Sequence, residues 1–341
     1  MNRRDFTHFG LLFCTSPYLL SDLVSTDNTE DQFLMTVNGP VPALKAGFIL
    51  SHEHILVDFI GADKVSADRY QTKEVMQKAL PYLKKLSADG GNMLIEATPS
   101  WLGRDVQLLQ KLSKESGLHI MTNTGYYGAS GEKFVPAHAY RHTAEQLAKS
   151  WISEWEKGID GTGIKPGFIK TGLDNYPLSA MQQKLVEAAA LTHTETGLTI
   201  GVHTGDGKAA LKELEIIQRI GVSPEAWIWI HAQNEKDRGV HLEVAKEGGW
   251  VSFDGLRDAN VPDYVQFLID MKKAGLLSKV LISHDAGWYH VGEPDGGNFR
   301  GYETIFRSLL PALKKAGFIE KEIAQIFKVN PAKAFTVKVR N

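Results

Sequence analysis

Residues 47–55 read GFILSHEHI, and the fold turns on that stretch. Phe48, Ile49 and Leu50 form an unbroken apolar run, as expected of a strand covered on both faces, and the run ends on two histidines. Side chains alternate along an extended chain, so His52 and His54 share one side and Glu53 takes the other. The same form recurs downstream: IKPGFIK ends on Lys170, LTIGVH on His203, AWIWIH on His231 and KVLISHD on Asp285. Polar groups delivered by the ends of several buried strands belong to one rim of a closed parallel sheet.

Strand-like runs occupy 47–52, 92–97, 118–123, 166–170, 198–203, 227–231, 249–254 and 280–284. Amphipathic helical spacing fills the intervals 72–88, 104–116, 140–156, 178–196, 208–220, 238–247 and 261–274. Gly117, Gly197, Gly221 and Gly275 stand between a helix and the next strand, as helix-stopping glycines do. This alternation predicts an α/β fold, a (β/α)8 TIM barrel. An open doubly wound sheet shares most of the periodicity, but its strands do not converge on one axis. Ahead of the barrel, FLMTVNGPVPAL places two short extended segments around Asn38-Gly39, a short N-terminal β-hairpin arm. DAGWYHVGEPDGGNFRGYE, residues 285–303, reads as a substrate-facing lid, and KEIAQIFKVNPAKAFTV as a helix, an Asn-Pro break and a second short helix.

The 341 residues suit one barrel with an extension: residues 1–30 a signal and linker, residues 31–341 a single domain. Arg3 and Arg4 precede a short apolar stretch at 9–20, which resembles a twin-arginine-type bacterial export signal and implies the periplasm. A benign amino-terminal tail in a cytoplasmic protein is the other reading. Cys14 is the only cysteine, so no intrachain disulfide forms and any metal must use nitrogen and oxygen ligands. Thirty-eight basic and forty acidic residues, without a basic block, argue against nucleic acid as a partner. No apolar run reaches the roughly 20 residues of a spanning helix, so no integral membrane domain is expected. A small-molecule substrate fits this balance.

Each rim residue has a plain explanation taken singly. His-x-His arises by chance, His203 and His231 are ordinary buried histidines if hydrogen-bonded, and Lys170 pairs with an acid or reaches for solvent. Asp285 beyond an apolar strand is costly unless paired or metal-bound. His284 beside it points the other way and reads as structural. Taken together, five are ordinary metal ligands. Lys170 becomes a sixth if burial lowers its pKa and the free amine adds carbon dioxide to form an anionic carbamate.

As a set, SHEHI, FIKTG, GVHTG, IHAQNE and SHDAG, with WLGRD at 101–105, NTGYY at 123–127 and VNPAKAF at 329–335, resemble the phosphotriesterase and phosphotriesterase-like lactonase family of the amidohydrolase superfamily. The resemblance spans roughly residues 35–338. It implies two divalent ions, by default zinc, with His52, His54 and Asp285 on the more buried ion and His203 and His231 on the more exposed one. N6-carboxylated Lys170 and a hydroxide would bridge them. It further implies a homodimer, Asp285 as acceptor of the nucleophile's proton with His231 as relay, and Tyr127 beside the nucleophile. Arg257 lies near a strand-seven position where some relatives contact substrate, and Trp288, Tyr289, His290 and Phe299 are candidates for the leaving-group pocket. Asp206 suits either the exposed site or a simple turn, and Arg104-Asp105 a loop-fixing ion pair. Asn123 departs from the family's usual glycine, and Asn234-Glu235 from its usual acidic or small residues.

The expected reaction is hydrolysis of a lactone or carboxylic ester by a bridging hydroxide. Phosphotriester hydrolysis is the nearest alternative. A mononuclear deaminase would release ammonia, and a noncatalytic ligand-binding barrel would bind without metal-dependent product.

Overall fold

The computed structural model describes residues 32–341. The expected export signal, with Arg3, Arg4 and Cys14, lies outside the described residues. Eight parallel strands follow the apolar runs: β3 Ile49–Glu53, β4 Met93–Glu96, β5 in two pieces His119–Met121 and Asn123–Thr124, β6 Phe168–Leu173, β7 Thr199–Thr204, β8 Trp227–Ile230, β9 Trp250–Phe253 and β10 Val280–Ile282. Neighbours in sequence are neighbours in the sheet, with β5 passing through Thr122 to join the β3–β4 side to the β6–β10 side. Closure runs between β10 and β3. Ser51 Oγ donates to Ile282 O (3.3 Å), the His52 amide to Ser283 Oγ (3.0 Å) and the Asp285 amide to His52 O (3.1 Å). The barrel is therefore continuous, and its carboxyl-terminal rim carries the residues singled out in the sequence.

The hairpin is present as β1 Phe33–Thr36 and β2 Gly39–Pro42, antiparallel, with Thr36 opposite Gly39. Gly39 turns with φ +108°, a conformation that side chains with a Cβ rarely adopt. Leu34 and Val41 pack with Ile49, Met93, Phe168 and Phe335, which seals the barrel end opposite the histidines. The outer layer comprises α1 Thr72–Ala88, α2 Val106–Ser116, α3 Ala144–Lys157, α4 Ala180–Thr196, α5 Gly207–Arg219, α6 Arg238–Lys246 and α7 Val261–Lys273. Their apolar stripes face the strands, and capping boxes at Thr143/Gln146 and Ser179/Gln182 start α3 and α4.

Two local expectations are corrected. Asn330-Pro331 does not break the helix: Gln325–Val329 widens into a π-type turn that runs on into Asn330–Phe335. The wider turn relieves the contact a proline ring makes with the preceding turn, and Asn330 Nδ2 is spent on Leu277 O and Val280 O. Arg104 and Asp105 fix loops separately, without pairing with each other. Arg104 makes a bidentate bridge to Glu154 and donates to Asn123 O (2.7 Å), while Asp105 caps α2 and accepts from Tyr70.

Candidate metal centre

All six rim residues line one cavity of about 190 Å3, together with Tyr127, Phe59, Phe134 and Trp288. His52 and His54 leave β3 on the same side, with their Nε2 atoms 3.2 Å apart. Asp285 Oδ1 lies 3.6 Å from His52 Nε2 and 3.2 Å from His54 Nε2. Thr98 Oγ1 holds His54 from behind at Nδ1 (2.7 Å). Two imidazole nitrogens and a carboxylate oxygen therefore face one point, and Asp285 Oδ1 and His52 Nδ1 are buried without a hydrogen-bond partner. An orphaned acceptor beside two ring nitrogens that cannot both carry a proton is a donor set suited to a divalent cation. The residues fit the metal that the fold implies.

Electrostatics support the same reading. Burial, followed by the neighbouring imidazoles, drives His52 well below its ordinary pKa; burial does the same to His203, and lowers His54 more modestly. Neutral imidazole is the ligating form. Burial raises the Asp285 carboxyl, but His54, then His231 and Arg300, outweigh it and leave the group below the usual carboxylate range.

The other half of the cavity holds His203, His231 and Lys170. The His203 and His231 rings lie 4.4 Å apart between centroids, and Tyr127 stands edge-on to His203 at 5.1 Å. Lys170 is buried, its Nζ donating to Thr171 O (3.2 Å) and sitting 5.2 Å above the Tyr127 ring. Desolvation pulls its pKa down to about 8, against the opposing pull of Asp254 and Asp285. Gly172 makes room for Tyr127, since a Cβ there would meet the ring at 2.5 Å.

Sequence reasoning missed Asp254. This carboxylate, fully buried at the end of β9, takes the His231 ring at Nδ1 (2.6 Å), the His231 amide (3.2 Å) and Ser252 Oγ (2.8 Å). Burial lowers the His231 pKa, but Asp254 and then Asp285 reverse the sign and leave it raised. The only sequence signal was an acid one residue past an apolar strand, the pattern already noticed at Asp285. His284 is structural as expected: its Nδ1 pairs with Glu53 (2.7 Å) and its Nε2 accepts the Ile305 amide. Glu53 also accepts from Ser283 Oγ and the Ala286 amide, clamping β3 to the segment after β10.

The loop after β10 supplies one expected pocket residue and withholds three. Trp288 stacks on His54 at 3.8 Å between centroids and fixes its indole by donating to Asp285 O (2.9 Å). Gly287 lets this loop approach, because a Cβ would fall 1.9 Å from His54 O. Tyr289 is not in the cavity. Its residue pairs in parallel with Leu56, and its ring packs against Gly296 on the α1 side. Phe299 is a core residue between Tyr82 and Tyr302. Arg257 is exposed and lines an adjoining groove with His290 instead of the cavity. Asp206 caps α5 through the Ala209 amide, the turn reading. The Asn123 side-chain amide donates to Glu96 O and Thr98 O (both 3.0 Å), tying β5 to the loop that holds His54. Glu235 accepts the Gly207 amide at the start of α5.

The sequence profile of the Phosphotriesterase family matches residues 32–335. The phosphotriesterase homology protein of Escherichia coli (strain K12) is 28% identical over 294 residues, 85% of this chain and 98% of that one. An N-acetyltaurine hydrolase of Tetraodon nigroviridis is 26% identical over 347 residues, 89% of this chain and 98% of its own length. Among solved structures, the organophosphorus hydrolase from Deinococcus radiodurans superimposes with a TM-score of 0.79 at 25% identity, covering 89% of this chain and 96% of that one. With its barrel closed and its ligand-bearing rim assembled, the chain belongs to the phosphotriesterase family and is a metal-dependent hydrolase.

Proposed function

We propose that the protein hydrolyses a lactone or carboxylic ester with two divalent cations, zinc by preference, held by His52, His54 and Asp285 and by His203, His231 and carboxylated Lys170. One observation carries this: five nitrogen and oxygen ligands and a buried lysine meet in a single cavity. Such cations, when bound, lower the pKa of water and polarise the substrate oxygen.

The chain's own residues do the rest. Lys170 needs a free amine to add carbon dioxide, which forms a C–N bond and releases one proton, and burial supplies that amine near neutral pH. Asp285, whose Oδ1 faces the two imidazoles, presents an ionised carboxylate that takes the proton from water as it adds. His231, braced by Asp254, stands next along the route outward. Burial raises the Tyr127 phenol, so it stays protonated and donates to the lactone oxygen. Phe59, Leu102, Phe134 and Trp288 exclude water from the reacting bond. The cavity's apolar walls suit the carbon skeleton of a lactone or ester.

The test joins elemental analysis to a hydrolysis screen on one preparation. Lactones and aryl esters are compared with an aryl dialkyl phosphate and N-acetyltaurine, whose hydrolysis the names of relatives suggest. The expected result is two ions per chain and fastest turnover of lactone or ester, lost on chelation. A single ion, ammonia release without ester cleavage, or faster phosphotriester turnover would overturn the assignment.

A further inference from the structure

A second groove opens beside the metal cavity and shares two of its walls, Phe59 and Trp288. Its remaining lining is Arg257, His290, Asn298 and Arg300, with a volume of about 310 Å3. No carboxylate lines it. Among the described residues neither guanidinium has an acid within ion-pairing distance: Arg257 has no salt bridge, and Arg300 is held by the backbone carbonyls of Leu256, His284 and Asp285. Those carbonyls use three of the five guanidinium N–H groups and fix the plane of the fork, leaving Nε–H and one Nη1 hydrogen. Arg300 is only partly exposed, and Arg257 is close enough that its charge, after burial itself, lowers the Arg300 pKa. Glu53 and Asp285 offset part of the Arg300 charge, but Arg257 has no acid paired with it and repels Arg300, so an anion brought into the groove would relieve the pair. The nearby acid Glu293 stands 3.7 Å from His290 Nδ1 and is not part of the groove's lining.

The aromatic wall sets the reach. Trp288 stacks on His54 at one face, and Phe59 lies 5.7 Å from Trp288 and 5.6 Å from His290 between centroids. One indole thus separates the ligand cluster from the cationic groove.

We infer that the groove is an acid-recognition subsite: the substrate carries an oxyanion, a carboxylate or its sulfonate equivalent, set a few bonds from the scissile carbonyl and gripped by Arg257 and Arg300. The inference rests on the ester or lactone reading of the cavity and names its substrate class. A charge-assisted fork onto an oxyanion gives specificity by charge and by geometry.

The test uses metal-loaded full-length protein and matched ester pairs. 4-Acetoxybenzoate is compared with 4-acetoxybenzamide, which places the charge on the leaving side. Phenyl hydrogen adipate is compared with phenyl adipamate, which places it on the acyl side. In at least one pair the acid is preferred in kcat/KM by about tenfold or more, through KM. Arg257→Gln brings that ratio towards one, and Arg257→Lys restores part of it. Equal turnover of acid and amide, or a parallel loss of both in Arg257→Gln with the ratio intact, overturns the subsite while the hydrolase reading stands. If no ester is cleaved, calorimetric titration of metal-free protein with 4-hydroxybenzoate decides the subsite separately. Binding weakened about tenfold by Arg257→Gln supports it, and binding that is absent or insensitive to the substitution overturns it.

Discussion

Asp254→Asn isolates the charge behind His231. The carboxylate accepts the His231 Nδ1–H at 2.6 Å, the His231 amide, Ser252 Oγ and Gln233 Nε2, all in a site without solvent access. Asparagine has nearly the same shape. Its Oδ1 still accepts from the ring and the amide, and its Nδ2 finds an acceptor once the Ser252 hydroxyl rotates. The substitution therefore costs the ionic share of the contact, about 1.5–3 kcal/mol for a hydrogen bond to a charged partner. If all of it reaches the metal, affinity of the His203/His231 side falls on the order of 10- to 150-fold, in line with losses seen when partners behind metal ligands are changed. In metal-free protein the sign is fixed independently. Burial lowers the His231 pKa and Asp254 raises it past its ordinary value, so the variant's His231 titrates lower. The raised pKa stabilises the metal-free fold fully below the unfolded value, and that contribution is lost as pH rises through the folded value. Competition with a zinc chelator reads the affinity, and histidine proton resonances read the titration. Wild-type zinc affinity together with an unshifted His231 would refute the claim that Asp254 orients and charges this ligand.

Protein reconstituted with 13C-bicarbonate and metal should show one labelled carbamate carbon that is absent from Lys170→Met; equal labelling of both would remove the lysine from the site. Lys170→Ala is expected to lower metal content and turnover together, and undiminished two-ion loading would defeat its bridging role. Arg104→Met strips the bidentate partner from Glu154 and a donor from Asn123 O; because Glu154 is 23% exposed, the cost falls at or below the low end of about 3–5 kcal/mol for breaking a buried pair, read by urea denaturation. Burial raises the Glu96 carboxyl to about 8 in the fold, so the unfolded chain ionises first. Metal-free protein should therefore lose stability between the ordinary carboxyl range and about pH 8, by roughly 2–5 kcal/mol, and Glu96→Gln should flatten that slope.

What was legible in the sequence was what is local or repetitive. The eight apolar runs and the intervening helical spacing name the barrel because each is decided within a dozen residues. The rim residues were legible because a polar side chain ending an apolar strand stands out against its neighbours. What was hidden depends on contacts between distant positions. The Thr98 hydroxyl that braces His54 and the Asp254 carboxylate that braces His231 come from loops and strands 44 and 23 residues away. Neither has a spacing of its own. Arg300 was passed over for the same reason, since three backbone carbonyls from two loops define its role.

Tyr289 shows a different limit, and it explains why only one of the four pocket candidates on the loop beyond β10 reaches the cavity. Alternation assigns sides only while the chain stays extended, and here it does not: Asp285 has φ +53° and Trp288 φ +76°, both in the left-handed region. His231, at the end of β8, is the third rim residue of this kind, with φ +67°. Each turns the chain sharply at or beyond the end of a strand, so the side chain is not set by the strand's alternation and is aimed by its contacts: Asp285 towards the imidazoles, His231 towards Asp254, Trp288 onto His54. Non-glycine residues in that region cost of order 1–3 kcal/mol each and persist only where the surroundings hold them. At Asp285 and His231 the surroundings are Glu53, Arg300 and Asp254, charged groups that grip those two turns through backbone groups. Strain and charge thus act together at Asp285 and His231, whereas Trp288 is held through its ring, and a glycine there would relax the turn while removing the wall shared by both cavities.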